Sequence, residues 1–380
     1  MRVALLTNFV PPYRLALYRE LACRCSSFEI FVSAKTEAGR NWQVEWDGLP
    51  VRLQRTITLP GTWRHPNSFS EPIQIHLPYD TIARLIRFRP DVILSGEFGM
   101  RTLQAALYRG LFPKSRLVVW ALLSDITEQG RGRLRHYIRA AILRVATAVV
   151  VNGEGGVRYI RGFGIHRDRI FPALQTTDLQ PFLDCPVSRP VSSRHRLLYC
   201  GTFTERKGIL PFLAHLADWA AANPGQEIEC GLVGHGPLRA DVESFQGPSN
   251  LKLEVFGPVA YDRLPSIYRE YGILAFPTLA DEWGMVVTEA MASGVPVLGS
   301  LYSQAVEELV TDDYNGWTFR PDRPTEVHSA LSRSLRLSIP RLNEIAENAR
   351  SAVCALTPGE IADRIMAAVR YANKETACCP

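Results

Sequence analysis

The first strand–loop–helix turn of this chain contains no glycine. An apolar run, Val3 to Thr7, leads into Asn8-Phe9-Val10-Pro11-Pro12-Tyr13-Arg14, where a dinucleotide-binding turn would carry GxGxxG. Two stiff prolines stand there instead, which counts against NAD or FAD. The eight cysteines (23, 25, 185, 200, 230, 354, 378 and 379) are scattered and form no CxxC, and the eight histidines form no HxxxH or HExxH. No metal set is therefore read from spacing, and no cofactor is expected. No apolar run approaches the roughly 18–20 residues of a membrane span. The N-terminus enters a strand at once (MRVALLT), so no signal peptide is expected. A net charge of +5 is too mild to argue for nucleic acid. Cys200 and Cys230 fall inside apolar runs, as buried free thiols do, which fits a reducing, cytoplasmic compartment.

What is present is α/β alternation, twice over. The chain has 380 residues, 46% apolar and 21% charged, enough for two cores. Strands are expected at 3–7, 28–33, 51–58, 91–95, 116–122 and 148–152. Helices are expected at 14–23, 73–89, 99–109 and 133–146. Residues 181–195 carry three prolines without periodicity and read as a linker. Alternation then restarts, with strands at 197–200, 227–233, 251–256 and 273–277. Arg131, Arg135 and Arg139 form an i, i+4, i+8 line beside the apolar face of helix 133–146, made by Leu134, Tyr137, Ile138, Ala141, Ile142 and Val145. That line is either a solvated face or a contact for a phosphate-bearing or membrane-surface acceptor.

The most informative stretch is FPTLADEWGMVVTEAMASGVPVLGS, Phe276 to Ser300. A buried strand ends at Pro277, an acidic turn follows, and Met285 to Ala292 reads as a helix closed by Gly294. A helix beginning near Gly284 points backbone N–H groups of Gly284, Met285, Val286 and Val287 at the preceding loop, an anion site. Asp281 and Glu282 stand before it, eight and seven residues from Glu289. Acids near helix N-termini also occur simply to serve the dipole. Together with the amides, they suit a ligand with both phosphate and hydroxyl groups, such as a nucleotide sugar. A second loop, Gly201-Thr202-Phe203-Thr204-Glu205-Arg206-Lys207-Gly208, places two adjacent cations before a helix, which suits a diphosphate. A third, Gly234-His235-Gly236-Pro237, lets backbone approach a ligand closely.

These stretches resemble the donor site of the retaining glycosyltransferases of the GT-B fold, family 4. Trp283-Gly284 and Glu289-Ala290-Met291-Ala292-Ser293-Gly294-Val295-Pro296-Val297 match its signature, and Lys207-Gly208 matches its diphosphate lysine loop. Asp281 stands where the family has Glu, and Thr202 where many relatives carry a second Arg. The resemblance implies an α/β protein of GT-B type: two Rossmann-like domains whose parallel sheets face each other across a cleft. Residues 1–188 would form the acceptor domain, 189–357 the donor domain, and 358–380 a helix returning to the first. It further implies transfer of a glycosyl group from a nucleotide diphosphate sugar to an acceptor hydroxyl, with retention and without a metal. Lys207, Asp281 and Glu289 would be catalytic. Thr202, Arg206, Gly236, Glu282, Gly284, Met285, Val286 and Val287 would hold the donor, and Arg14 would lie on the acceptor side. The acceptor would be a glycan, a lipid-linked group or a small molecule, with peripheral contact at the inner membrane face. Trp42, Trp46 and Trp63 would stack on a sugar ring or cover core. The histidine that many relatives place near the sugar is missing, and Trp120 to Asp125 occupies its region. Two other readings are a sugar-nucleotide epimerase of the same fold and an inactive sugar-nucleotide binding subunit.

Overall fold

A computed structural model describes residues 1–36, 46, 48–188 and 191–374, without the side chains of 191 and 192. Trp42 lies outside the described residues. The chain divides into two compact units: Met1–Pro66 and Ser70–Asp178 with Leu356–Pro380, and Leu179–Ala355 with Asn67–Phe69. The segment 181–195 thus falls in the second unit, and a short helix, Gln180–Leu183, overlaps its start.

The first unit is built on strands β1 (Arg2–Thr7), β2 (Ser27–Val32), β3 (Val51–Leu53), β6 (Val92–Gly96), β7 (Arg116–Ala121), β8 (Ala148–Val151) and β9 (Ile170–Pro172). Their order is β3-β2-β1-β6-β7-β8-β9, with every neighbour parallel. The sequences say why. AVVV at 148–151 and VILSG at 92–96 are buried at every position. Strands covered on both faces cannot alternate polar with apolar.

The second unit repeats the plan with β10 (Arg196–Cys200), β11 (Ile228–Val233), β12 (Leu251–Gly257), β13 (Ile273–Phe276), β14 (Val297–Ser300) and β15 (Gly316–Phe319). The order is β12-β11-β10-β13-β14-β15, again all parallel. Strand order reverses between β1 and β6 in one sheet and between β10 and β13 in the other. Loops leaving the carboxyl ends at such a reversal splay apart and leave a crevice.

Two expectations are corrected. No helix starts at 73. Instead β4 (Thr56–His65) and β5 (Phe69–Pro78) pair with each other across the turn at 66–68, and the helix is only Thr81–Phe88. Ile73-Gln74-Ile75-His76-Leu77 alternates with period two, and Pro78 cannot continue a helix. Trp63 in this pair is buried, edge-on to His65 and beneath the Arg131 guanidinium at 4.1 Å, so it covers core. The second correction concerns helix Arg133–Val145. Its buried side is Arg139, Ile142 and Leu143, while Leu134 and Tyr137 are 74% and 68% exposed. Arg139 bonds Glu128 and Tyr159, and Arg131 lies 3.8 Å from Glu128. The arginine line is thus largely structural, because Glu128 is a buried carboxylate that needs cations.

The last helix, Pro358–Lys374, packs on helix Leu15–Cys23 and on β7, β8 and β9. Ile361, Ala362, Ile365, Met366, Ala368, Val369 and Ala372 form its buried stripe. Arg24 Nε bonds Asp363 Oδ1 at 2.8 Å beside it. Among the described residues, no helix is long and apolar enough to cross a membrane.

Candidate active site

The reversal in the second sheet brings the two motif loops together. The loop after β10 carries Lys207, and the loop after β13 carries Asp281. Gly208 joins Lys207 to helix Ile209–Ala222 at φ +66°, and a Cβ there would lie 2.3 Å from the Pro277 carbonyl oxygen. Only glycine lets the first loop lie this close to the second. The loops are stitched by backbone: Leu279 N–H donates to Arg206 O at 2.7 Å, and Thr278 Oγ1 to the same oxygen at 3.2 Å. Arg206 Nη1 donates to Ala280 O at 3.1 Å.

Lys207 Nζ forms an ion pair with Asp281 Oδ2 and sits 5.4 Å from the Phe276 ring centre. Both partners are mostly buried. Burial works to raise the Asp281 carboxyl, but Lys207, Arg206 and the Trp283 N–H outweigh it and hold it below its usual range. Asp281 N–H donates to Tyr302 O at 3.0 Å, which fixes the turn. Glu282 is half-buried. Burial, then the charge of Asp281, raises its carboxyl, with Arg206 opposing. The two adjacent acids are therefore electrostatically distinct.

Gly284 has φ +102°, and a Cβ would lie 2.7 Å from the Phe276 ring. It starts helix Met285–Ala292, whose half-buried Met285 and Val286 remain at the loop. Val287 differs from the expectation. Its side chain is fully buried and its N–H donates to Gly284 O at 2.9 Å, so that amide is already engaged by the tightened first turn. Thr202 is half-buried, and its carbonyl accepts from Tyr199 OH at 2.8 Å. Gly236 lies against the same loop, where a Cβ would be 2.4 Å from Phe203 O.

Glu289 is 2% exposed and accepts from Tyr261 OH at 3.0 Å and Tyr268 OH at 3.4 Å. Burial pushes its carboxyl up to about 7, against the pull of those two hydroxyls. The tyrosines were not singled out from sequence. They come from the segment after β12, and only a Tyr-x6-Tyr spacing hinted at a shared face. A carboxyl raised on folding stabilises the fold below its unfolded value and loses that contribution as pH rises through about 7. The shift corresponds to roughly 3 kcal/mol. Glu289→Gln should therefore gain Tm relative to wild type between about pH 4.5 and 7, with the difference level above that. Parallel melts across that range check it; a Tm difference independent of pH would count against a buried, titrating Glu289.

In the first unit, Arg14 follows β1 and Glu97 follows β6, at that sheet's own reversal. Arg14 Nη2 donates to Gln175 Oε1 at 2.9 Å, and the guanidinium lies 5.2 Å from the Trp120 ring centre. Glu97 is exposed and held at φ +61°. A non-glycine residue there carries a cost of about 1–3 kcal/mol, of the kind that gathers at functional sites. In the region of the missing histidine, Asp125 is paired with Arg158 at 2.8 Å.

Residues 10–172 match the family described as glycosyl transferase 4-like domain, and residues 194–336 the family glycosyl transferases group 1. An uncharacterized glycosyltransferase of Methanocaldococcus jannaschii is 28% identical over 135 residues, 35% of this chain and 36% of that protein. A putative colanic acid biosynthesis glycosyltransferase of Escherichia coli is 23% identical over 281 residues, 70% of this chain and 66% of that one. The chain thus spans between about a third and two-thirds of these relatives' own length. Anabaena HepE, solved in complex with UDP, superposes with a TM-score of 0.72 at 16% identity, over 97% of this chain and 100% of that one.

Proposed function

This chain belongs to the GT-B glycosyltransferases of group 1, and we propose that it moves a sugar from a nucleotide diphosphate donor to an acceptor hydroxyl, with retention at the anomeric carbon. The observation that carries this reading is the Lys207–Asp281 pair at the mouth of helix Met285–Ala292. Breaking the glycosidic bond develops negative charge on the leaving diphosphate and positive charge on the sugar. Lys207, Arg206 and the N–H groups of Gly284, Met285 and Val286 are the donors that stabilise the diphosphate. Asp281 orients Lys207 and takes sugar hydroxyls. Glu289, between two tyrosines, takes the ribose hydroxyls once its proton has left. Thr202 and Gly236 line the nucleotide side. Arg14 in the first unit binds the acceptor.

Thermal shift with a panel of nucleotide diphosphate sugars, UDP-sugars first, selects the donor. Transfer from that donor, with the product's anomeric configuration read by NMR, tests the reaction. The cations above neutralise the diphosphate without a divalent ion, so transfer is expected to persist in excess EDTA. Loss on chelation with recovery on Mg²⁺ or Mn²⁺ would transfer that role to a metal. Conversion of the donor with no acceptor present would instead indicate an epimerase, and binding without any turnover a binding subunit.

Exposed Leu134 and Tyr137 on helix Arg133–Val145 stand beside exposed Arg133 and Arg144. We assign this stripe a peripheral contact with anionic lipid, which would suit a lipid-linked acceptor and a cytoplasmic location at the inner membrane face. Leu134→Glu/Tyr137→Glu should abolish co-sedimentation with anionic vesicles while leaving the melt unchanged. Equal pelleting of both proteins would remove the membrane from the proposal.

A further inference from the structure

Helices Ile209–Ala222 and Pro324–Leu335 lie side by side in the second unit. Most of what they share is apolar: Leu216, Trp219, Val327 and Leu331 are buried in one core. One place is different. His215 Nδ1 and His328 Nε2 lie 3.2 Å apart, with the rings at 84°. Asp218 follows His215 by one turn, and a carboxylate oxygen and both ring nitrogens all fall within 4.8 Å of one another. One turn further along both helices, Trp219 Nε1 donates to Ser332 Oγ at 2.9 Å. That bond repeats the register of the histidine pair and fixes the helices beside it.

We propose that His215, Asp218 and His328 form a binding site for a divalent transition-metal ion of the zinc class. Two ligands on a tetrahedral ion, each at about 2.0–2.1 Å, stand roughly 3.3 Å apart. The separation of the two histidine nitrogens already matches. Two imidazoles and one carboxylate select Zn²⁺, Co²⁺ or Ni²⁺ over Mg²⁺ and Ca²⁺, which require oxygen shells. Binding needs a lone pair from each ring. The ring that donates in the present N–H···N contact moves its proton to its other nitrogen, so both stay neutral and no oxidant or reductant is involved. Spacing along the chain could not show this set, because the third ligand comes 113 residues after the first. The proposal therefore departs from the expectation of no metal set. His215 lies roughly 9 Å along its helix from Ile209, where the helix leaves the Lys207-Gly208 loop. The ion would therefore clamp the helix behind the donor loop without touching the donor.

The test uses the full untagged chain, stripped with chelator and titrated with Zn²⁺. Calorimetry should give one ion per chain, and Zn²⁺ should raise Tm by mass action. Co²⁺ in its place should give visible d–d bands without a sulfur-to-cobalt charge-transfer band, which separates this site from the free cysteines. His328→Ala should weaken Zn²⁺ binding at least tenfold and erase the Zn²⁺-dependent Tm rise, with its metal-free melt and circular dichroism near wild type. If that variant folds poorly, His215→Gln carries the same expectation. No Zn²⁺ binding, an equal Tm rise in wild type and variants, or a sulfur charge-transfer band with cobalt would each overturn the proposal.

Discussion

Lys207→Ala lowers kcat/KM by on the order of 10²–10³, the scale for one preorganised electrostatic group lost from a reacting centre. The ion pair adds a complication that must be designed around. Lys207 and Asp281 are only 15% and 10% exposed at their side chains, so removing the lysine leaves a buried carboxylate unpaired. Breaking such a pair costs about 3–5 kcal/mol, enough to depress folding as well as turnover. The double variant Lys207→Met/Asp281→Asn separates the two. It removes both charges, so its Tm should recover most of what the single variant loses, while turnover stays low. Recovery of turnover together with Tm would mean that Lys207 acts on the fold alone and not on the diphosphate.

Asp281→Asn should lower kcat strongly, and Glu282→Gln should leave it within a few-fold. Neighbouring side chains in a turn point apart, and here they differ in environment. Asp281 faces Lys207 and accepts from Trp283 N–H, while Glu282 is half-buried and sees mainly the charge of Arg206. The amide in Asp281→Asn keeps the shape but loses the charge attraction to Lys207. Because the folded Asp281 carboxyl is held low, its contribution to stability is present above its ordinary range and disappears as pH falls through the lowered value. Both variants are measured with one donor and one acceptor. The reverse order of effects would assign the sugar contact to Glu282, and two mild effects would favour a binding subunit.

Much of the candidate site's geometry was legible because its parts are local. Lys207-Gly208 and Asp281 to Glu289 are each a strand end, a turn and a helix start, and parallel topology puts such ends on one edge of a sheet. The strands expected at 197–200, 227–233 and 273–277 agree within one residue at each end with Arg196–Cys200, Ile228–Val233 and Ile273–Phe276. What was not legible depends on partners distant in sequence. Tyr261 and Tyr268 close over Glu289 from another segment. Arg139 looked like a surface charge because nothing nearby announced that Glu128 would be buried. Leu134 and Tyr137 continue the apolar period of their helix, yet the fold leaves that turn uncovered. Residues 73–78 were misread because a short alternating run merged with the true helix behind it, across Pro78.

The last helix closes the first unit although the second unit's sequence intervenes. On the ribosome, the second unit has its full sequence before residues 358–374 emerge. The first has all its strands by then, but the faces of β7 to β9 that Ile361, Ile365, Met366 and Val369 cover remain wet. Synthesis order and assembly order are thus inverted: the segment made first is finished last. A nascent chain stopped at Ala355 carries the whole sequence of the second unit and an unfinished first one, which makes the early half the client of any chaperone that meets it.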